Sequence, residues 1–566
     1  GLTGPGDLVG TDGGLTINLL GLNKLLKLNN LLSAAEGVKV EVNDTKVVGV
    51  ENGLTVVAKG SDSNNVAAEF SSGGFIARCN STDIKNSLVK NLKEVRSATI
   101  GGYSGGFVGI SRTGGLADVA DKTEIEEHFT KDSIIEVNKL LGAITYLVPK
   151  YTNCSVAYVD GGLIEADVAG GFAGELQSGH VDNQGLGDGK YYSVYNIDQV
   201  KGSSYAGGFA GKAYSGALAD SGKGISILPG IKGLSINIGD LLSLINVYVP
   251  IIKYAGVKSD KDTLSINTTI KHPGFTVSAT AMKDSDNNSG SAGGFIGYGS
   301  GVQISHCDVS NLKNTEVTAP KVLEADDASS YYNNSSKYAV TGARYAGGYI
   351  GYMNIGSAAS VGKGISVLGT AVGLSDVLSA LNVVVSTIEH SNVYGSSGGY
   401  AVRASWKNSA SDATLDQISG DAGGFAGKIS GGHIQDCNSY NFSYIIGQIT
   451  AGGYVGSMKP GSVADVLGQT SILGGLVNTQ ETLAPLVQDF VPTIRNSSTT
   501  CIPCGGAVRA NGESTETLQR GLAGGYVGHN EGGHIWGNDN RKWKGNDYTG
   551  ITSLCEAVRI RSVYGR

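Results

Sequence analysis

One short pattern constrains this chain more than any other feature: a small residue, two glycines, an aromatic, a small apolar residue and a glycine. It reads Ala169-Gly-Gly-Phe172-Ala-Gly174, Ala206-Gly-Gly-Phe209-Ala-Gly211 and Ala292-Gly-Gly-Phe295-Ile-Gly297. It returns as Ala346-Gly-Gly-Tyr349-Ile-Gly351, Ala422-Gly-Gly-Phe425-Ala-Gly427, Ala451-Gly-Gly-Tyr454-Val-Gly456 and Ala523-Gly-Gly-Tyr526-Val-Gly528. Looser copies stand at Ser72-Gly-Gly-Phe75, Ser104-Gly-Gly-Phe107, Ser397-Gly-Gly-Tyr400 and Cys504-Gly-Gly-Ala507. Repetition of this kind points to stacked units, because one unit cannot bury its own apolar face. Period-two alternation around each aromatic reads as a short strand. The paired glycines are expected to permit a turn with positive φ and a close approach of neighbouring backbones. The aromatics Phe75, Phe107, Phe172, Phe209, Phe295, Tyr349, Tyr400, Phe425, Tyr454 and Tyr526 are expected to point inward and stack on one another.

A second half-motif follows some copies. Ser300-Gly-Val-Gln-Ile-Ser-His-Cys307-Asp and Ser430-Gly-Gly-His-Ile-Gln-Asp-Cys437-Asn are near copies, and Gly532-Gly-His-Ile-Trp536 begins the same way. Ile304 and Cys307, like Ile434 and Cys437, should point inward with His306 outward, the cysteines acting as small buried hydrophobes. The pattern Gly-x-Ile-x-x-Cys-(Asn/Asp), followed by Ala-Gly-Gly-(Phe/Tyr)-(Val/Ile/Ala)-Gly, resembles the GLUG-type repeats of large bacterial surface proteins. Such repeats also form stalks in some Gram-positive IgA-cleaving metalloproteases. The resemblance implies a β-solenoid in the stalk or adhesin region of a surface protein. The expected fold is therefore mainly β, a parallel β-solenoid (β-helix) of Gly-Gly-aromatic coils in one continuous array over 1–566. Its larger units run approximately over 1–109, 110–211, 212–351, 352–456 and 457–566.

Spacing between copies is irregular, so something is inserted between them, and the insertions themselves repeat. Gly222-Lys-Gly-Ile-Ser-Ile-Leu228 and Gly362-Lys-Gly-Ile-Ser-Val-Leu368 open two of them. Leu-rich segments lie at Leu15–Leu32, Ile134–Val148, Leu234–Val249, Val372–Ile388 and Ile472–Val491. Near-helical spacing of Leu19, Leu22 and Leu26, and acids such as Asp132, Asp240 and Asp376 near the starts of their runs, predict about five amphipathic helices. They would cover the side of the array or face another chain.

Composition narrows the function classes. Gly is 87 of 566 residues while Pro is only 10, which excludes collagen and proline-rich linkers. Charged residues at 16% suit a hydrogen-bonded β surface. With no basic stripe and a net charge of −7, no nucleic-acid partner is expected. The longest apolar run, Leu241 to Ile252, is too short and too polar to span a bilayer, so no membrane span is expected. Seven cysteines form no dense disulfide framework. Cys501-Ile-Pro-Cys504 reads as a local disulfide, two plain thiols, a redox pair or half of a metal site, and the lack of a second CxxC disfavours zinc. The chain reads as a piece of something longer.

Candidate chemistry is sparse. Gly102-Tyr-Ser104-Gly-Gly106 and Gly395-Ser-Ser397-Gly-Gly399 match a nucleophile elbow, but both serines occupy the slot that holds alanine in other copies. No metalloprotease or phosphate-loop motif occurs. Asp284-Ser-Asp286-Asn-Asn288-Ser-Gly290 lacks the sixth-position glycine and twelfth-position acid of a calcium loop. The acids are dispersed, with no pair placed for glycoside cleavage. Neither catalytic, cofactor nor metal residues are assigned, and no cofactor is expected. The expectation is an extracellular structural or adhesive segment of a bacterial surface or secreted protein. Its partners would be a host or neighbouring-cell protein or glycan, or copies of itself. The alternatives are a carbohydrate-active β-helix enzyme and a subunit of a self-assembling surface filament.

Overall fold

The computed structural model describes residues 40–59, 70–113, 148–186, 192–215, 248–259, 274–283, 286–312, 338–356, 385–396, 398–404, 420–461, 490–502, 506–510, 513–514, 519–537 and 561–563. These residues are mainly β, and their ladders are parallel apart from the small pairing of Glu513–Ser514 with Gln519–Arg520. The named helical element among them is a single short turn, Gln184–Leu186.

A first sheet has ten strands in chain order, from Val40–Asn43 and Thr82–Lys85 to Thr493–Arg495 and His534–Trp536. Their central residues stand in one column: Val42, Ile84, Tyr151, Val181, Ile252, Ile304, Ile388, Ile434, Ile494 and Ile535. Parallel strands in register place like beside like about 4.8 Å apart, and β-branched side chains fill that spacing well. A second sheet has nine strands, from Ile76–Asn80 to Val527–Asn530, each beginning just after a Gly-Gly-aromatic copy. The remaining strands pair through three columns. One runs Val47, Val89, Val156, Val194, Val257, Val309, Val393, Ser439 and Thr499. The next includes Val95, Ile164, Val200, Val277, Val340, Val402 and Ile445. The third holds the small residue of the motif, from Ser72 and Ser104 through Ala169 and Ala206 to Ala523.

The motif glycines act by close approach, and the expectation of positive φ is corrected for all the described copies except at Gly399. At Phe209 the added Cβ of Gly207 would fall on the carbonyl oxygen of Ala210, and that of Gly208 on the carbonyl oxygen of Gly294 in the next copy. Gly211 would come within 2.8 Å of the Ala169 carbonyl oxygen, because the second sheet presses against the alanine column. The left-handed positions lie chiefly elsewhere, among them the corner after eight of the ten first-sheet strands. They include Asp44, Asn86, Asn153, Tyr254, His306, His390, Asp436 and Asn496. Asn, Asp and His tolerate that conformation better than most side chains. Each of these residues donates its backbone N–H to the neighbouring strand, as His306 does to the Glu389 carbonyl at 3.2 Å.

The expected helices at Leu15–Leu32, Ile134–Val148, Leu234–Val249, Val372–Ile388 and Ile472–Val491 fall almost wholly outside the described residues, which give them no support. At the described end of one segment the expectation is corrected: Ile388 sits mid-strand in Thr387–Glu389. The junctions are informative. The chain passes from second to first sheet directly at 81, 178–179, 301–302, 431–432 and 531–533. On alternate passes it does so through 114–147, 216–247, 357–384 and 462–489.

Candidate functional site: the aromatic stack and the outer ladders

Nine of the ten aromatics singled out by the motif form one unbroken stack. From Phe75 through Phe107, Phe172, Phe209, Phe295, Tyr349, Phe425 and Tyr454 to Tyr526, consecutive ring centroids are 4.6 to 5.1 Å apart. Their planes lie within 25° of parallel. Ring pairs contribute about 0.5–1.5 kcal/mol each beyond the area they bury.

Tyr400 is not in the stack, which corrects its assignment. Tyr349 stacks directly on Phe425, and Ala346 pairs with Ala422, leaving no place between them. Tyr400 instead pairs with Phe442, beside the stack. Its hydroxyl donates to the Gly424 carbonyl at 2.6 Å and shares a 2.6 Å bond with the Ser439 hydroxyl. Ser397 lies outside the described residues. The Cys504-Gly-Gly-Ala507 copy also leaves the stack, since Ala507 begins a strand that pairs with Tyr444.

Ser104 lies in the alanine column, buried and bonded to Ser72, Ser97 and the Glu165 carbonyl. Those bonds account for its hydroxyl without a nucleophile's base. Asp286 accepts from Tyr205 and from the Asn288 backbone N–H at 3.0 Å, which makes its loop a polar turn. Cys501 is disulfide-bonded. Cys79, Cys154, Cys307 and Cys437 are free, so its partner is Cys504 or Cys555, both outside the described residues.

The free thiols at the corners belong to a ladder. The Ala255 N–H donates to Cys307 Sγ at 3.3 Å, Cys307 N–H to Ser391 Oγ at 3.1 Å, Ser391 N–H to Cys437 Sγ at 3.4 Å, and Cys437 N–H to Ser497 Oγ at 3.1 Å. Each Sγ or Oγ donates in turn to a carbonyl two residues back, as Ser391 does to Glu389 at 2.8 Å. Burial pushes these thiols up, Cys154 to about 12, so the thiolate is disfavoured.

One residue further on runs an outer ladder of Asp308, Asn392, Asn438 and Ser498. Asn392 donates its backbone N–H and Nδ2 to Asp308 Oδ1 at 2.8 and 3.1 Å, Asn438 does the same to Asn392 Oδ1, and Ser498 to Asn438 Oδ1. Burial raises the Asp308 carboxyl, opposed by the Asn392 bonds and by His306. Aromatic rings, half-buried to exposed, flank this ladder on both sides. Tyr254, His306 and His390 stack at 4.9 and 5.0 Å along one side. Tyr394 and Tyr440 stack at 5.1 Å along the other.

A further polar seam lies where the second sheet meets the alanine column. Lys212 Nζ sits 5.0 to 5.7 Å from the ring centroids of Tyr205, Tyr214 and Tyr298, and Lys428 Nζ 4.9 and 5.3 Å from Tyr345 and Tyr352. Burial lowers the Lys428 ammonium. Glu175, buried, is paired with Arg112 at 2.6 Å. These contacts satisfy the charges within the chain.

Among the described residues no three His, Cys, Asp or Glu side chains form a metal-sized group, and no helix is long and apolar enough to cross a membrane. Sequence reasoning missed the outer ladder. The signal was present as Ile388-Glu-His-Ser-Asn392 and Ile494-Arg-Asn-Ser-Ser498, with serine where the recognised copies carry cysteine. Protein-family models, curated proteins and solved structures give no match to this chain.

Proposed function

We propose that this chain is a parallel β-solenoid of GLUG-type repeats, serving as an extracellular structural and adhesive segment of a bacterial surface or secreted protein. The observation that carries this reading is the register. Each pass of the chain visits the first sheet, the valine columns, the alanine column and the second sheet in the same order. Each strand pairs with its counterpart one pass on, and the ring stack threads nine passes without a break. Such an array contacts only its neighbours along one axis and grows by adding passes, which suits a spacer. Nine intervals of about 4.8 Å make the first sheet roughly 43 Å long.

The disulfide at Cys501 supports an oxidising compartment, where such bonds persist. The adhesive half rests on the exposed polar and aromatic face beside the Asp308 ladder. The test has two arms. Small-angle scattering of the purified chain should give an elongated particle, and beads coated with it should attach to cells or to extracellular matrix. A globular scattering profile sinks the scaffold reading; a rod that attaches to nothing sinks the adhesive one.

A further inference from the structure

The Tyr394–Tyr440 column ends abruptly. In register the outer positions run Lys258, Ser310, Tyr394 and Tyr440 on successive strands. Ser310 is the only small side chain of the four, so it leaves a gap between Tyr394 and Lys258. Those two strands lie two spacings apart, about 9.6 Å. After the thickness of the Tyr394 ring and of its opposite wall, that gap admits one flat ring and no more.

The walls of the gap have defined chemistry. Tyr394 is exposed at 37%, and Tyr440 stacks at 14° on one face, so the face toward Ser310 remains open. The opposite wall is Tyr192, whose ring lies against Gly256, 2.9 Å from where a Cβ would stand. Lys258 Nζ sits 5.6 Å from that ring's centroid, so the cation is already placed over an aromatic. At the back is Asp308. Both Asn392 donors go to its Oδ1, so Oδ2 is left for an outside donor. His306, exposed, stands on the far side of the ladder.

We propose that this gap is a binding slot for one pyranose ring of a neutral saccharide, lying on the open face of Tyr394 with a hydroxyl pair donating to Asp308. A sugar ring offers an apolar face of C–H groups to an aromatic and hydroxyls at its rim. Aromatic plate, carboxylate acceptor, serine hydroxyl and imidazole match that pattern within one small patch. A free cation fits poorly, because Lys258 already occupies the second aromatic wall. A polyanion fits poorly, because Asp308 forms the back. The inference rests on the adhesive reading and names its ligand class.

The test uses the whole chain and short neutral oligosaccharides of glucose, galactose, mannose or N-acetylglucosamine, followed by saturation-transfer NMR and titration calorimetry. At least one series should bind with a millimolar or tighter constant. Tyr394→Ala should weaken it about tenfold or more. Ser310→Tyr should abolish it while extending the tyrosine column, so the thermal midpoint holds or rises; a loss of binding there is then not a loss of fold. If none of these sugars binds, or if binding survives Ser310→Tyr, the slot is refuted. Attachment to cells that survives Ser310→Tyr would refute the slot as the adhesive site yet leave the adhesive function standing.

Discussion

Two passes of the chain solve the same interior problem in different ways. In the pass that ends at Tyr454 the stack carries a tyrosine, whose hydroxyl donates to the Cys437 carbonyl at 2.9 Å, with Phe442 beside it. In the preceding pass the stack carries Phe425, and the tyrosine stands beside it as Tyr400, donating to Gly424. Other passes repeat one scheme or the other. Tyr349 donates to Cys307 and Tyr526 to Ser497, while Phe172 is accompanied by Tyr158, which donates to Gly171 at 2.6 Å. No described pass holds a phenolic hydroxyl in both places, and those ending at Phe75, Phe107 and Phe295 hold one in neither, Leu92 and Phe275 standing beside the stack in the latter two. The stack therefore needs a flat ring of fixed position, and the hydroxyl is free to move between two carbonyls.

The largest effect should come from the backbone contact both schemes share. Gly348→Ala places a Cβ on the carbonyl oxygen of Gly424. Backbone cannot move aside cheaply, so a loss above about 4 kcal/mol is expected, read as absence of a folding transition or as insoluble expression. Next comes the ring itself. Phe295→Ala, at the centre of the stack, should cost about 3–5 kcal/mol in denaturant melts, and a loss below 1 would mean that the rings are not packed as described.

Smaller changes separate the two schemes. Tyr400→Phe strands the Gly424 carbonyl and leaves the Ser439 hydroxyl only its Thr499 partner at 3.3 Å, and should cost about 1–3 kcal/mol. Tyr454→Phe strands one carbonyl and should cost less. The reverse order would break the comparison. The smallest effect concerns Asp308, whose carboxyl is raised by burial. A raised carboxyl binds its proton more tightly when folded, so its ionisation destabilises as pH rises through the folded value. Asp308→Asn keeps the Oδ1 acceptor and should raise the melting midpoint at pH 7 by the equivalent of about 1 kcal/mol or less. That gain should vanish in acid, where Asp308 is itself protonated.

Much of this was legible in the sequence because the motif encodes contacts rather than propensities. The nine stacked aromatics follow from period-two alternation around fixed glycines, and the buried Ile304 and Cys307 with the outward His306 follow from the repeated half-motif, where the left-handed corner at His306 lets residues three apart both face inward. Tyr400 misled because Ser397-Gly-Gly-Tyr400 copies the first half of the motif. A glycine two residues after the aromatic, which lets the second sheet touch the alanine column, marks eight of the nine stacked copies; Ala77 stands there after Phe75, at the end of the stack, and the bulkier Val402 after Tyr400. The outer ladder was hidden because Ser391 and Ser497 replace cysteine, and oxygen and sulfur accept the same N–H. Hydrogen-bond role was conserved along the ladder while residue type was not.

The central claim is the register that sets each strand beside its counterpart one pass later. Ser305 and Glu389 are 84 positions apart in sequence yet paired directly, and Gln435 pairs with Glu389 from the other side. Neighbouring parallel strands bring Cα atoms within disulfide range, while strands two apart stand about 9.6 Å away. Pairs of cysteines introduced at these outward positions report the order directly. Ser305→Cys with Glu389→Cys should cross-link on mild oxidation, as should Glu389→Cys with Gln435→Cys, and Ser305→Cys with Gln435→Cys should not. Cross-linking of the 305–435 pair in place of the 305–389 pair would contradict the register and the array built on it.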